Sequence, residues 1–372
     1  HLEARIEDLH ERVQRGTYRA KPSKRAWIPK AGGQRPLGIA ALEDKIVQQA
    51  VRRVLEEIFE VEFLGFSYGF RPGRGAHDAL DALWVGLMAR RINWVLDCDI
   101  RGFFDAIVHE WLMKFIEHRV GDRRVLRLIR KWLRAGVSEE GKWSKTVVGT
   151  PQGSVISPFL ANVYLHYALD LWVTHWRKHR AQGDVIVMGF QHRMEAERCL
   201  QELRERLGKF GLELHPEKTR LIEFGRYAAE RRSEAGLGKP ETFSFLGFTH
   251  YCGKTRKGAF TIKRQSMAKR MRAKLLEVKA QLKRHMHSTV AEMGAWLRSV
   301  VRGWLNYHAV PGNSPSLGRF RNEVGRIWFG VLRRRSQKFR RRRWQYMARL
   351  ICYWLPPARI LHPYPNERLA VI

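Results

Sequence analysis

Asp97 and Asp99 stand two positions apart in "VLDCDIRGFFD" (95–105). Side chains alternate along a strand, so both carboxylates project from one face if this segment is extended. A carboxylate at a strand end, followed by the turn Gly102-Phe103-Phe104, suits a Mg²⁺ ion held mostly by water and phosphate oxygens. Alone the pattern is weak, because surface strands often end in solvated aspartates. "GTPQGSVISPFLANVYL" (149–165) is more specific. Gly149, Pro151 and Gly153 make a stiff turn from which Gln152 projects, and a rigid turn is how an amide is positioned against a substrate. Ser157-Pro158 then gives ordinary helix-start signals.

These residues need a frame. Amphipathic spacing predicts helices over Leu2–Gln14, Glu43–Phe59, His77–Ala89, Glu110–Val120 and Arg123–Leu133. It predicts a strand over 92–100, a buried helix over 154–173 and a strand-turn-strand over 211–225. A hairpin is expected from 241–251 and 257–263. From Arg264 onward the pattern is helical: 264–286, 289–307, 316–336 and 340–354. Val185–Met188 reads as a strand that passes through one glycine into an amphipathic helix, with no return strand.

The chain has 372 residues and a formal charge of +33, so its partner is polyanionic, nucleic acid before a membrane surface. Residues 253–372 carry 28 Lys and Arg against 4 Glu and no Asp, while residues 1–252 carry 41 against 32 acids. That is a chemical portion followed by a polyanion-gripping portion. Within the second, Arg333, Arg334, Arg335 and Arg340, Arg341, Arg342, Arg343 are too dense for a merely solvated face. Trp296, Trp304, Tyr307, Trp328 and Trp344 are expected mostly in a helix-bundle core. Four cysteines without a Cys-x-x-Cys pair predict buried thiols, neither a zinc site nor a disulfide framework. No apolar run spans a bilayer. The start at His1 without a signal-peptide pattern predicts a longer chain or a processed one.

In order along the sequence, "RPLGIAALEDKIVQQAV" (35–51), "FLGFSYGFRPGRGAHDAL" (63–80), "VLDCDIRGFFDAI" (95–107), "GTPQGSVISPFLANVYL", "GLELHPEKT" (211–219) and "FSFLGFTHY" (243–251) form one set. This set resembles the reverse transcriptase domain of bacterial group II intron-encoded proteins. "GWLNYHAVPGN" (303–313) resembles their thumb and maturase X domain, which argues against a retron, diversity-generating or CRISPR-associated relative. The resemblance implies an α+β fold: right-hand polymerase fingers and palm over 1–255, then an all-α thumb and X domain over 256–372. It implies RNA-directed DNA polymerisation by target-primed synthesis, together with binding of the intron RNA to assist splicing. Asp99 then matches a metal-binding aspartate, with the Ile100 carbonyl helping, and Phe104 the aromatic gate against a 2′-hydroxyl. Gln152 matches the glutamine at the incoming nucleotide, and Lys218 the palm lysine near its phosphates. Lys30 and Arg35 match basic residues closing on the triphosphate, although a solvated hairpin with general RNA contact fits them equally. The implied cofactor is Mg²⁺. The implied partners are group II intron RNA, target DNA and dNTPs, with no membrane, in a bacterial cytoplasmic ribonucleoprotein. No endonuclease pattern follows, as in the class C type.

Two divalent ions need more than Asp99. The family supplies a Tyr/Phe-Ala-Asp-Asp turn, and no Asp-Asp pair occurs in this sequence. We expect about eight residues of an ordinary hairpin to be missing at Val187–Met188, judged from strand rise, with a gap rather than a bond there. The alternative is a catalytically inactive RNA-binding maturase. If the two residues are bonded, the strand before them is expected to lack a partner.

Overall fold

A computed structural model describes residues 2–30, 33–139, 142–144, 148–150, 153–183, 185–186 and 189–369. Lys30 and Arg35 are described by their backbone only. Pro151, Gln152 and the Val187–Met188 junction lie outside the described residues. The chain divides into two compact units, residues 1–76 with 96–221, and residues 77–95 with 222–372.

In the first unit, β1 (Ser23–Lys30) and β2 (Gly33–Ile39) form an antiparallel hairpin that pairs Lys30 with Gly33 and Ile28 with Arg35. β3 (Trp94–Asp97) is shorter than the expected 92–100 and buries Val95 and Leu96. β4 (Val137–Glu139) and β5 (Lys142–Ser144) extend the hairpin into a sheet of order β2-β1-β4-β5. A second sheet has the order β6-β7-β3-β8, with β6 Val185–Ile186, β7 Gly189–Phe190 and β8 Arg220–Glu223. Here one expectation is corrected. The strand ending before Val187 does have a return partner: Val185 pairs with Phe190 and Ile186 with Gly189. Burial of Phe190, whose ring meets Trp176 edge-on at 5.9 Å, draws the second strand inward.

The helix after the "GTPQG" turn starts at Ser157, with Pro158 in its first turn, and passes through a π turn at His166–Asp170 into Leu171–His179. It runs beyond the expected 173. Phe159 packs edge-on against Phe59 at 5.8 Å, both rings buried, which ties this helix to Leu42–Phe59. Buried Arg71 organises the intervening loop, bonding Glu60 at 2.6 Å and the carbonyls of Leu64 and Ser67 at 2.7 Å.

In the second unit, β9 (Phe243–Phe245), β10 (Phe248–Lys254) and β11 (Phe260–Ser266) form an antiparallel sheet of order β11-β10-β9. Helices Ala268–Arg284, Val290–His308, Ser314–Arg335 and Trp344–Trp354 follow. Thr289 and Glu292 cap the second of these reciprocally. Leu297, Val301, Phe320, Val324, Trp328, Met347 and Ile351 build its core. Trp304 stacks between His308 at 3.9 Å and Phe320 at 4.3 Å. Trp328 is fully buried, whereas Trp296 and Trp344 are exposed. Cys352 is exposed too, against the expectation of buried thiols.

The helix expected over 340–354 is broken. A short turn of helix, Gln337–Arg340, ends before Arg341–Arg343, and helix resumes at Trp344. No helix among the described residues is long and apolar enough to cross a membrane.

Candidate active site

All the expected nucleotide-site positions belong to the first unit. At the end of β3 the chain stays extended for one more pairing. Ile100 opposes Leu214 in an isolated antiparallel bridge, closed by Arg101 N–H to the Glu213 carbonyl at 2.8 Å and His215 N–H to the Asp99 carbonyl at 2.7 Å. This is the pairing in which the two opposed residues make no bonds to each other. The ladder therefore spares the Ile100 carbonyl.

Two ion pairs run along this face. Lys218 Nζ lies 2.8 Å from Asp99 Oδ2, and Arg220 lies 3.7 Å from Asp97. Asp97 and Asp99 do share a face, as alternation predicts, although β3 itself stops at Asp97. Burial holds the Asp97 carboxyl above the usual carboxylate range against the pull of Arg220, with the Asp99 charge adding to the rise. Burial and both aspartates push the Cys98 thiol between them up to about 11, which makes it inert. Arg220 was not singled out in the sequence. Its signal was there, because Lys-x-Arg (218–220) mirrors Asp-x-Asp (97–99).

Phe104 sits half-buried on the short helix Phe103–Ala106, entered through Gly102 in the left-handed region. Its ring lies 5.6 Å from that of Phe103. The start of the "GTPQG" turn is fastened to this helix: Thr150 N–H donates to the Phe104 carbonyl and Gly149 N–H to the Ile107 carbonyl, both at 2.8 Å. His109 Nε2 lies 2.6 Å from the Gly149 carbonyl oxygen. Gly149 has φ +90, and a Cβ there would fall 2.9 Å from the Asp105 Cα. At the other end Gly153 has φ +106, and a Cβ would fall 2.9 Å from the Gly38 carbonyl oxygen on β2. Buried Gln48 accepts from Ser154 Oγ at 2.9 Å and Val155 N–H at 3.1 Å. Both flanks of Gln152 are thus clamped, one to the Phe104 helix and the other to β2.

The donors fit one Mg²⁺ ion of the kind that uses one carboxylate, a carbonyl, waters and phosphates: Asp99 is exposed and the Ile100 carbonyl is spared. They do not make a two-ion centre. Among the described residues no group of three or more His, Cys, Asp or Glu is placed to hold a metal.

The basic run lies in the second unit. Arg340 to Arg343 are exposed, as are Arg333 and Arg334. Arg335 is half-buried and instead bonds the carbonyls of Met286 and Ser288. It fastens the turn between two helices.

A fingers-type hairpin, a palm-type sheet ending in aspartate and an aromatic turn place the fold in the α+β polymerase class. Residues 21–250 match the family described as reverse transcriptase (RNA-dependent DNA polymerase), and the chain belongs to that family. It is similar to the group II intron-encoded protein LtrA of Lactococcus lactis subsp. cremoris, 41% identical over 173 residues, covering 46% of this chain and 28% of that one. An uncharacterized 91 kDa protein in the cob intron of Schizosaccharomyces pombe is 41% identical over 162 residues, covering 43% of this chain and 20% of that one. Protein YkfC of Escherichia coli K12 is 38% identical over 169 residues, 44% of each chain. The matches thus span less than half of these relatives' own length.

Proposed function

We propose that this chain is the polymerase and RNA-binding portion of a group II intron-encoded protein, which holds the intron for splicing and, once an acidic turn between Val187 and Met188 completes its metal site, copies intron RNA into DNA at a target primer. Fingers and palm occupy 1–255, and a thumb and X domain 256–372. Its partners are group II intron RNA, target DNA and dNTPs, in a bacterial cytoplasmic ribonucleoprotein, and its cofactor is Mg²⁺. The observation that carries the reading is the cluster around Asp99: an exposed carboxylate, a spared carbonyl, a lysine 2.8 Å away and the Phe104 helix clamped to the "GTPQG" turn.

When bound, the metal activates the attacking 3′-hydroxyl and offsets phosphate charge. Asp99 and the Ile100 carbonyl would hold that ion at the end of β3. Lys218 exchanges its carboxylate partner for nucleotide phosphate. Phe104 forms the wall under the sugar that excludes a 2′-hydroxyl, and Gln152 orients the base and primer from its clamped turn. Lys30 and Arg35 close over the triphosphate from the β1–β2 hairpin. Arg333, Arg334 and Arg340 to Arg343 contact RNA phosphates.

The test uses the protein with a segment of about eight residues containing Tyr-Ala-Asp-Asp inserted between Val187 and Met188. Asp99→Ala should abolish RNA-templated dNTP incorporation while leaving RNA affinity within about twofold, since it removes no basic contact. Phe104→Ala should admit ribonucleotides. Loss of RNA binding in parallel with incorporation, in a folded Asp99→Ala protein, would contradict the assignment.

A further inference from the structure

The helix Arg123–Arg134 buries Leu126, Leu128, Ile129, Trp132 and Leu133. Its other face carries Arg123, Arg127, Arg130 and Arg134, at i, i+4, i+7 and i+11, all exposed. At 1.5 Å per residue this stripe is roughly 16 Å long. A groove of about 1160 Å³ runs between it and the segment 19–22, whose Arg19 faces the stripe. Lys131 builds the groove wall: its ammonium donates to the Gly16 carbonyl at 3.1 Å and to the Tyr18 carbonyl. Trp132 Nε1 donates to buried Tyr18 at 2.9 Å, holding the same segment from below.

The charge is nearly uncompensated. Among the described residues Glu117 is the one acid lining the groove, and it is paired with Arg130. Arg19, Arg123, Arg127 and Arg134 have no carboxylate partner among the described residues. Burial, then the nearby charges of Arg127 and Arg19, hold the Lys131 ammonium below its ordinary value. Folding places like charges together and leaves them unpaired, which costs stability unless an anion fills the space. No aromatic side chain among the described residues lines the groove, so it lacks the platforms on which unpaired bases stack. What it offers is a row of forked donors for phosphate oxygens.

We infer that this groove is a second RNA-binding site, which grips the phosphate backbone of a base-paired RNA segment independently of the arginine run at 340–343. The inference rests on the proposed RNA partner but needs no catalysis. Its failure would leave primer extension untouched, and failure of the polymerase reading would leave the groove's affinity intact.

The test takes the full chain and a blunt RNA hairpin with no extendable primer. The variant R123Q/R127Q/R130Q/R134Q should shift the log-affinity against log-salt slope by roughly three units, at about 0.7–0.9 per phosphate contact. R340Q/R341Q/R342Q/R343Q should act additively with it. As a check that depends on no variant, phenylglyoxal labelling of the wild-type chain should show Arg123, Arg127 and Arg134 protected by the hairpin. Unchanged labelling at saturating RNA overturns the inference, as does a folded quadruple variant with wild-type slope. Equal protection by a DNA hairpin of the same sequence would overturn the assignment to RNA.

Discussion

The Lys218 ammonium lies 2.8 Å from Oδ2 of Asp99, and two residues along each segment Arg220 lies 3.7 Å from Asp97. The first pair is half-exposed on both sides, so its worth to stability is small, at most ~1 kcal/mol. Its position at the expected metal aspartate suits exchange with a phosphate. Lys218→Gln should leave urea unfolding nearly unchanged while raising the KM for dNTPs several-fold in the protein carrying a restored acidic turn. A large loss of stability with unaltered nucleotide use would make the lysine purely structural.

The fastening of Gly149 and Thr150 to the Phe103–Ala106 helix sets the cost of a side chain there. Gly149 is in the left-handed region and a Cβ would strike the backbone of Asp105, so Gly149→Ala should cost on the order of 1–3 kcal/mol. Gly208, at the end of the helix Arg193–Gly208, has open space at its Cβ position, and Gly208→Ala should be neutral or slightly stabilising. Urea unfolding of the pair measures the difference. Equal effects would refute the close approach.

Asp170 sits in the π turn, buried, and its Oδ2 has no hydrogen-bond partner. Burial pushes its carboxyl up to about 7 from 3.8, against the opposing effects of Ser67 and Arg71. An acid raised on folding binds its proton more tightly in the native state. Its contribution to stability is therefore full below about pH 4 and is lost as pH rises towards 7. Asp170→Asn should stabilise the chain by up to a few kcal/mol at pH 8, at ~1.4 kcal/mol per unit, and far less at pH 4. A gain independent of pH would show that ionisation is not the cause.

Much of this fold was legible because its periodicities are long. The helices over 2–14, 42–59 and 290–308 and the strands around 248–266 lie where spacing put them. The pairing of β6 with Gly189–Phe190 was not, because two residues carry no period and the partner is chosen by burial of Phe190. The break at 341–343 and the fastening role of Arg335 depend on what each arginine meets after packing, which a count of charges does not reveal. In the site, Asp-x-Asp fixed the face but not its partners. The clamped ends of the "GTPQG" turn were foreshadowed by its glycines, while the surfaces that require them belong to distant segments at 104–105 and 37–38. The groove beside Arg123–Arg134 was hidden for the same reason, since one wall comes from residues 19–22.

Neutralising the exposed run Arg340–Arg343 to Gln should weaken RNA binding and flatten its salt dependence by roughly three units, at about 0.7–0.9 per contact. Filter binding across a salt series measures this. Wild-type affinity and slope in that variant would remove the run from the RNA interface.

We propose that Asp99 anchors a polymerase site whose further carboxylates belong between Val187 and Met188. Primer extension on an RNA template tests it most directly, comparing the chain as its sequence stands with the same chain carrying a segment of about eight residues that contains Tyr-Ala-Asp-Asp between Val187 and Met188. One carboxylate does not position two ions, so the first protein should give no cDNA at any Mg²⁺ concentration and the second should give full-length product. Extension by the first, or none by a folded second protein that still binds RNA, would contradict the account.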